Sequence, residues 1–543
     1  MEGAERLNMM RWFHRGLIAL LILIMTGCAG APAAESQAQA RNRIVYGLTL
    51  EPSGFDPHIN ASSELGIPLR SVYDTLVYRD PNDKRFVSGL AAAWEISPDG
   101  LVYTFMLRQG VMFHDGTPFN AAAVGANLDR ITNPDNASQK AVFMLGTYTR
   151  YEIVDDYTIR VVLSEPYSPL LDSLSQVYLG IASPTALSAY SNERYQFHQV
   201  GTGPFRFVEY LPGDRLVIRR NADYTWMPSF YQPVNDLSVD EVEFRFFSDP
   251  PTRAIALESG DAQIMGELLP IDARALSNNI DIQILPVTIA GQPLQFMFNT
   301  ARAPTDNLLV RQALLFATNR DLIVDGIYQD FSPVAWGALA AITPFYNDQV
   351  VGAYTYDTVQ ARLLMEQAGY IDADNNSFYD AVDGDLTVTL IVPSWGLIPE
   401  VAQLIQDQWR IIGVRAVLDS APSRTMVVEK VNEGAYNLVA FYSFGNDASL
   451  LNDYFRGDGS LNWTGYQSSD LDNLLIDATR QSDPNGRAAG YGQVQRLLLE
   501  QALILPIRDY VNLNGARAEI QGLTYDAYGW NPLLHNVTLS PAL

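Results

Sequence analysis

Two periods alternate along this chain. Short runs in which apolar and polar residues alternate predict strands, and stretches whose apolar residues recur every three or four positions predict amphipathic helices. Ile44–Leu50 predicts a first strand. Trp94-Glu95-Ile96 and the alternating run Val102–Leu107 flank Pro98-Asp99-Gly100, a turn signal, and together predict a β-hairpin. Asn120 suits the N-cap of a helix whose Ala123, Val124, Asn127 and Leu128 share one face. Ile153–Leu163 predicts a strand with a polar turn before it, and Val239–Phe247 predicts another. Further on, Val310, Ala313, Leu314 and Ala317 line one helical face, and Asn319 caps a second helix that contains Leu322 and Ile323. Asp357-x-x-Gln360 opens a third helix that stops at Gly369. Val401, Leu404, Ile405, Gln408 and Ile412 make a helix ended by Gly413 and followed at once by the strand Val414–Leu418. That succession predicts α/β layering around a mainly parallel sheet. Gly490–Leu503 predicts the last long helix and Ile504–Leu513 a final strand.

The N-terminal end follows neither period. Arg6, Arg11 and Arg15 precede the apolar run Leu17–Met25, which is shorter than the roughly 20 residues needed to span a bilayer and suits the core of a signal peptide. Met25-Thr26-Gly27-Cys28 then resembles a bacterial lipobox. Residues 1–27 are therefore expected to be a lipoprotein signal peptide, with Cys28 the lipidated first residue; the alternative is a plain signal peptide with an incidental cysteine. Residues 28–43 have almost no large apolar side chain and read as a flexible tether. Cys28 is the sole cysteine, which precludes an intrachain disulfide. With 48% hydrophobic and 11% aromatic residues the rest is globular, and 543 residues allow several units of about 150 each. A net charge of −25 with only Lys84, Lys140 and Lys430 as lysines argues against nucleic acid or an anionic membrane surface as partner.

The stretch Gly89–Gly116 adds an identity to the hairpin. Leu90-Ala-Ala-Ala-Trp94, Asp99-Gly100, Tyr103-Thr-Phe105-Met-Leu107-Arg108, Gly110 and Phe113-His114-Asp115-Gly116 fall at the spacing of a known signature. It resembles that of the family 5 extracellular solute-binding proteins, the dipeptide, oligopeptide and nickel receptors of ABC importers. Glu51–His58 is similar to that family's first cleft-edge loop, Ser71–Arg79 fits its helix before the hairpin, and Arg253–Asp261 fits a short helix and turn. The likeness resumes at Gly201-Thr202-Gly203-Pro204-Phe205 and at Asn221–Trp226. Gly201 and Gly203 read as a backbone crossing that excludes side chains; no helix follows them to make a phosphate loop. The resemblance implies an α/β, two-lobed periplasmic-binding-protein-like fold with a hinge and an interlobe cleft. Lobe I would hold 44–292, with an inserted subdomain, lobe II 293–503, and 504–543 would return to lobe I. It also implies a monomer, lipid-anchored outside the cytoplasm, that takes a small-molecule or short-peptide ligand and works with ABC importer permease and ATPase subunits.

Candidate chemistry is sparse. Gly-x-Ser-x-Gly, Gly-x4-Gly-Lys-Ser/Thr and His-Glu-x-x-His are all missing, and the few histidines have no metal-ligand spacing, so neither an enzyme nor a required cofactor is expected. A secreted enzyme on the same scaffold, and a peptide-pheromone or chaperone-like surface receptor, are the alternatives. Asp372, Asp374, Asn376, Asp380 and Asp383 stand at positions 1, 3, 5, 9 and 12 of a calcium-loop pattern and suggest a structural calcium. Ser377 replaces the usual glycine, and a polar surface loop is the other reading. For the ligand, Ala440–Ser449 corresponds by resemblance to the family stretch whose aspartate holds a peptide ammonium, and Asp447 is either that holder or a structural aspartate. Leu397-Ile398-Pro399-Glu400 stands where some dipeptide receptors place a carboxylate-binding arginine, so the zwitterion clamp looks incomplete. The candidate ligand-binding set is Phe55, Trp395, Tyr442, Phe444, Asn446, Asp447 and Trp463, the aromatics among them able to stack on a solute.

Overall fold

The computed structural model describes residues 42–382 and 384–540; the expected signal peptide, Cys28, most of the tether and Asp383 lie outside the described residues. Two sheets organise the described chain. The first has seven strands in the order Ile282–Thr288, Val511–Arg517, Ile264–Met265, Arg43–Leu48, Glu241–Phe246, Arg215–Arg220, Phe205–Leu211. Its first strand in sequence, Arg43–Leu48, lies near the middle, parallel to both neighbours, which buries Ile44, Tyr46 and Leu48 in the largest core. The second sheet runs Arg415–Ala421, Thr387–Pro393, Leu438–Phe444, Gly291–Phe298, Ile504–Arg508. Thr387–Pro393 is parallel to both its neighbours, but Gly291–Phe298 is antiparallel to both of its own. The sheet is thus mixed rather than mainly parallel, because the strands that bring the chain in and take it out add to the parallel helix–strand units in the opposite sense.

The chain passes between the sheets twice, at Ile289-Ala290 and at Asp509-Tyr510. The second passage is later than the expected return at 504. Leu505 and Ile507 belong to the core beneath the second sheet and Ile504 packs on its other face, so the run stays in lobe II until Arg508. An antiparallel sheet of Ala91–Ile96, Val102–Leu107, Thr158–Leu163 and Tyr148–Asp155 forms within the first lobe's sequence. It contains the predicted hairpin, with Trp94 opposite Phe105. The strand predicted over Ile153–Leu163 is instead the end of one strand, a turn and a second strand: Asp155 accepts from the Tyr157 N–H at 2.8 Å inside the turn.

Caps fall where the sequence places them. Asn120 accepts from the Ala123 N–H ahead of Ala121–Thr132, Asn319 from the Leu322 N–H ahead of Arg320–Tyr328, and Asp357 from the Val359 and Gln360 N–H groups ahead of Thr358–Gln367. The helix expected over Ser71–Arg79 does not form. The carbonyls of Ser71 and Val72 accept from Phe205 and Gly203, that of Asp74 from Ile181, and those of Thr75 and Leu76 from Leu90 and Ala91, so tertiary partners take most of the carbonyls a helical ladder would use. Val77–Arg79 pairs as a strand with Phe86–Ser88. The same contacts explain the two glycines: a Cβ on Gly201 would sit 2.1 Å from the Val72 carbonyl oxygen, and one on Gly203 2.5 Å from that of Ser71. His114 of the signature locks this crossing, its N–H donating to Gly201 and its Nε2 bonding the Gly203 carbonyl at 2.9 Å. Burial holds the His114 imidazole pKa down at about 4, so at neutral pH the uncharged ring fills the position.

Candidate functional site

Side chains of the two lobes touch directly. Arg79 of lobe I donates through one nitrogen to Asp172 at 2.7 Å and to the Asn446 carbonyl of lobe II at 2.9 Å. Elsewhere between the lobes, the Ser168 hydroxyl donates to the Thr479 carbonyl at 2.8 Å and Glu165 pairs with Arg480. Asp172 is buried, and burial raises its carboxyl pKa although the Arg79 guanidinium pulls the other way.

Two cavities lie in this interlobe region. One, of about 110 Å³, is lined by Glu267 and Leu268–Pro270 from lobe I, Tyr328, Phe331, Gly396, Leu397 and Arg508 from lobe II, and Tyr510 from the second passage. The other, of about 20 Å³, is lined by Arg70, Arg79, Asn446, Asp526 and Trp530 among others. An aromatic ladder joins them. Tyr442 lies 5.3 Å from Tyr510, Phe444 4.8 Å from Tyr510, and Phe444 5.4 Å from Trp530, measured between ring centres. Groups of both signs without ion-pair partners adjoin the ladder: among the described residues Glu267 and Arg508 beside Tyr510, and Arg70 and Asp526 in the smaller cavity, have no opposite charge within 4.0 Å. Burial, and then the neighbouring Glu267 carboxylate, push the Glu64 carboxyl well above the ordinary carboxylate range. Glu267 accepts from the Tyr510 hydroxyl at 3.0 Å. An interlobe space with aromatic walls and unpaired charges of both signs can hold a small polar molecule by stacking and by charge-assisted hydrogen bonds.

Residues 85–464, more than half of the chain, match the model of the bacterial extracellular solute-binding proteins, family 5. The chain belongs to that family. A curated relative, the glutathione-binding protein GsiB of Salmonella typhimurium, is 28% identical over 505 residues, covering 91% of this chain and 93% of its own. Among solved structures, NikA from Brucella suis in complex with Fe(III)-EDTA superposes with a TM-score of 0.81 at 22% identity, over 92% of this chain and all of that one. The dipeptide-binding protein from a Pseudoalteromonas species, in complex with Met-Leu, does so with a TM-score of 0.73 at 22% identity, again over 92% of this chain and 100% of that one. The two-lobed fold expected from the sequence is therefore the fold of this chain. The family 5 protein is a solute-binding protein of the ABC-importer type that acts outside the cytoplasm, and its family binds rather than transforms.

Within this family 5 protein the sequence-predicted residues separate into groups. Tyr442 and Phe444 stand in the interlobe ladder. Asn446 lines the smaller cavity and offers its carbonyl to Arg79. Trp395 and Trp463 share with Tyr442 a recess of about 270 Å³ whose described lining comes from lobe II alone. Trp463 is buried and packs edge-on against Phe441 at 5.0 Å, as a core residue does. Phe55 is fully buried in the lobe I core, 4.8 Å from the Tyr210 ring, and does not line the cleft. Asp447 is satisfied inside lobe II: Arg487 donates to its two oxygens at 3.0 and 2.7 Å, and the Ser449 N–H donates at 2.9 Å. The geometry gives Asp447 the structural of its two readings.

In the acidic loop, Asp372 accepts from the Asn376 and Ser377 N–H groups, Asp374 from Asn376, and Asp380 from the Ala373 N–H at 2.7 Å. Among the described residues no three His, Cys, Asp or Glu side chains converge to hold a metal. Sequence reasoning missed Arg79, Glu267, Arg508, Tyr510 and Trp530. The only sequence signal for Arg508 was a cation closing the apolar run Ile504–Ile507. The others carry no spacing that marks them.

Proposed function

We propose that this protein is lipid-anchored through Cys28, captures a peptide-like solute between its lobes and delivers it unaltered to an ABC permease. The observation that carries the reading is the interlobe ladder Tyr442–Phe444–Tyr510–Trp530, edged by charges of both signs that no ion pair consumes. Stacking and charge-assisted bonds suit a small organic molecule bearing amino and carboxylate groups. The relative named for glutathione, similar along nine-tenths of both chains, supports a peptide-like solute over a bare metal. Binding on closure then supplies the free energy that separates open from closed forms.

The test is mass spectrometry of what co-purifies with the protein expressed in a native-like envelope. A small amino- and carboxylate-bearing molecule is expected, recovered at unchanged mass after incubation. A processed product would instead support a secreted enzyme, and absence of any solute, together with no thermal shift across a peptide panel, would overturn the reading. For the anchor, the N-terminal peptide of membrane-fractionated protein is expected to carry acyl mass on Cys28, and Cys28→Ser to release the protein from membranes.

A further inference from the structure

One aromatic side chain of lobe II packs into a core of lobe I. Phe331 is half-buried against the cluster that includes Leu257, Met265, Leu268, Ala273 and Leu276, all lobe I residues. The turn that delivers it has an uncommon backbone. Helix Arg320–Tyr328 ends on Gln329 at φ 54°, and Asp330 follows at φ 63°, so two successive residues that bear side chains occupy the left-handed region. Aspartate tolerates that backbone better than glutamine does, which leaves the greater strain at Gln329.

Arg274, from the lobe I helix Pro270–Leu276, grips the same turn. It donates to the Gln329 carbonyl and, at 3.3 Å, to the Asp330 carboxylate, and its guanidinium carbon stands 5.0 Å from the Phe331 ring centre. Three successive lobe II residues are thus held by one lobe I arginine. The Arg274 and Asp330 side chains are 50% and 70% exposed, so their ion pair contributes little and the larger share falls to burial of the Phe331 ring. Phe331 and Leu268–Pro270 also wall the larger interlobe cavity from opposite lobes, and parting them opens that cavity on one side. The next residue, Ser332, accepts from Arg508 within lobe II at 2.9 Å, which ties the turn to lobe II when the lobes separate.

We infer that Gln329–Phe331 and Arg274 form a strained latch between the lobes: the docked ring and the arginine favour the closed form, the left-handed backbone opposes them, and their balance governs how readily the larger cavity opens. A ring docked without strain would hold the lobes shut and retard release, and a binding protein that must give up its solute gains from the opposing term. The strain is tolerated only while the contacts to lobe I offset it. The latch rests on the two-lobed fold and not on which solute is bound.

The experiment is small-angle X-ray scattering of the dialysed, solute-free mature protein, carried without its anchor as Cys28→Ser, with a thermal melt on every variant. Phe331→Ala is expected to enlarge the radius of gyration, because losing a partly buried aromatic ring lowers the closed-to-open ratio about tenfold. Gln329→Gly keeps the carbonyl that Arg274 uses and removes the strain, so adding it to Phe331→Ala is expected to bring the radius back toward that of wild type. A merely structural role would change the melting temperature without moving the radius in opposite directions. Where Phe331→Ala fails to fold, Arg274→Ala takes its place, with a smaller enlargement expected and the same reversal by Gln329→Gly. An unchanged radius in the folded variant, or an enlargement that Gln329→Gly does not reverse, would overturn the latch.

Discussion

A buried aspartate serves either a ligand or the fold, and its partner decides which. Both oxygens of Asp447 are taken by Arg487, whose own charge would otherwise be stranded in lobe II between Phe345 and Tyr491. Burial works against the Arg487 charge, but the Asp447 carboxylate outweighs it and the arginine pKa rises. Asp447→Asn is therefore expected to cost about 3–5 kcal/mol of folding free energy, the range for removing one partner of a buried pair. Urea denaturation measures this beside titration of the co-purifying solute. A large loss of affinity with unchanged stability would restore Asp447 as a ligand holder. The sequence could narrow Asp447 to two roles because its neighbours resemble a known stretch. It could not choose, since Arg487 lies forty residues on, in the helix Pro484–Glu500, and nothing in that helix's spacing names its partner. Arg508 was illegible for a related reason: a cation at the end of an apolar strand reads as exposed, and the residues that bury it, Tyr328 and Ser332, lie far from it in sequence.

At the scale of elements, legibility followed the range of the interactions. The hairpin of Trp94 and Phe105, the caps Asn120, Asn319 and Asp357, and the stops at Gly369 and Gly413 are decided within a few residues, and they form as predicted. Ser71–Arg79 fails because its carbonyls are claimed by Gly203, Phe205, Leu90 and Ala91, partners set by tertiary folding. The glycines that take part, Gly201 and Gly203, were legible because a Cβ there has no room. The acidic loop has the spacing of a calcium site. Its carboxylates alternate as a calcium loop requires, but the described ones spend their oxygens on the loop's own N–H groups, and Asp385 accepts from the Asn376 amide at 2.8 Å and pairs with Arg415. Millimolar calcium is thus expected to leave the melting temperature unchanged, since a bound ion would raise it by mass action. A rise that Asp374→Ala abolishes would reinstate the site, with Asp383 as its completing ligand.

For the whole molecule, the free energy that separates open from closed forms decides affinity, because any cost of closing is subtracted from the gain on binding. The interlobe contacts differ in what they contribute. Glu165 and Arg480 are about half exposed, and pairs of that kind contribute roughly 0–1 kcal/mol, less in salt. Arg79 is nearly buried, already neutralised by Asp172, and donates to the Asn446 carbonyl, a charge-assisted bond in the range of about 1.5–3 kcal/mol that exists only while the lobes touch. Arg480→Ala should accordingly leave the solution radius of gyration and solute affinity almost unchanged at physiological salt. Arg79→Ala should shift the ligand-free ensemble toward the open form, enlarge the radius of gyration by small-angle scattering and weaken solute binding by about tenfold or more. Removing Arg79 also strands Asp172, whose burial favours its protonated form, so Arg79→Ala paired with Asp172→Asn separates closure from folding. If the double variant regains its melting temperature but stays open and weak-binding, the bond to Asn446 is what holds the lobes together. If it closes and binds as wild type does, the bond to Asn446 is dispensable and closure rests on the remaining interlobe contacts and the solute.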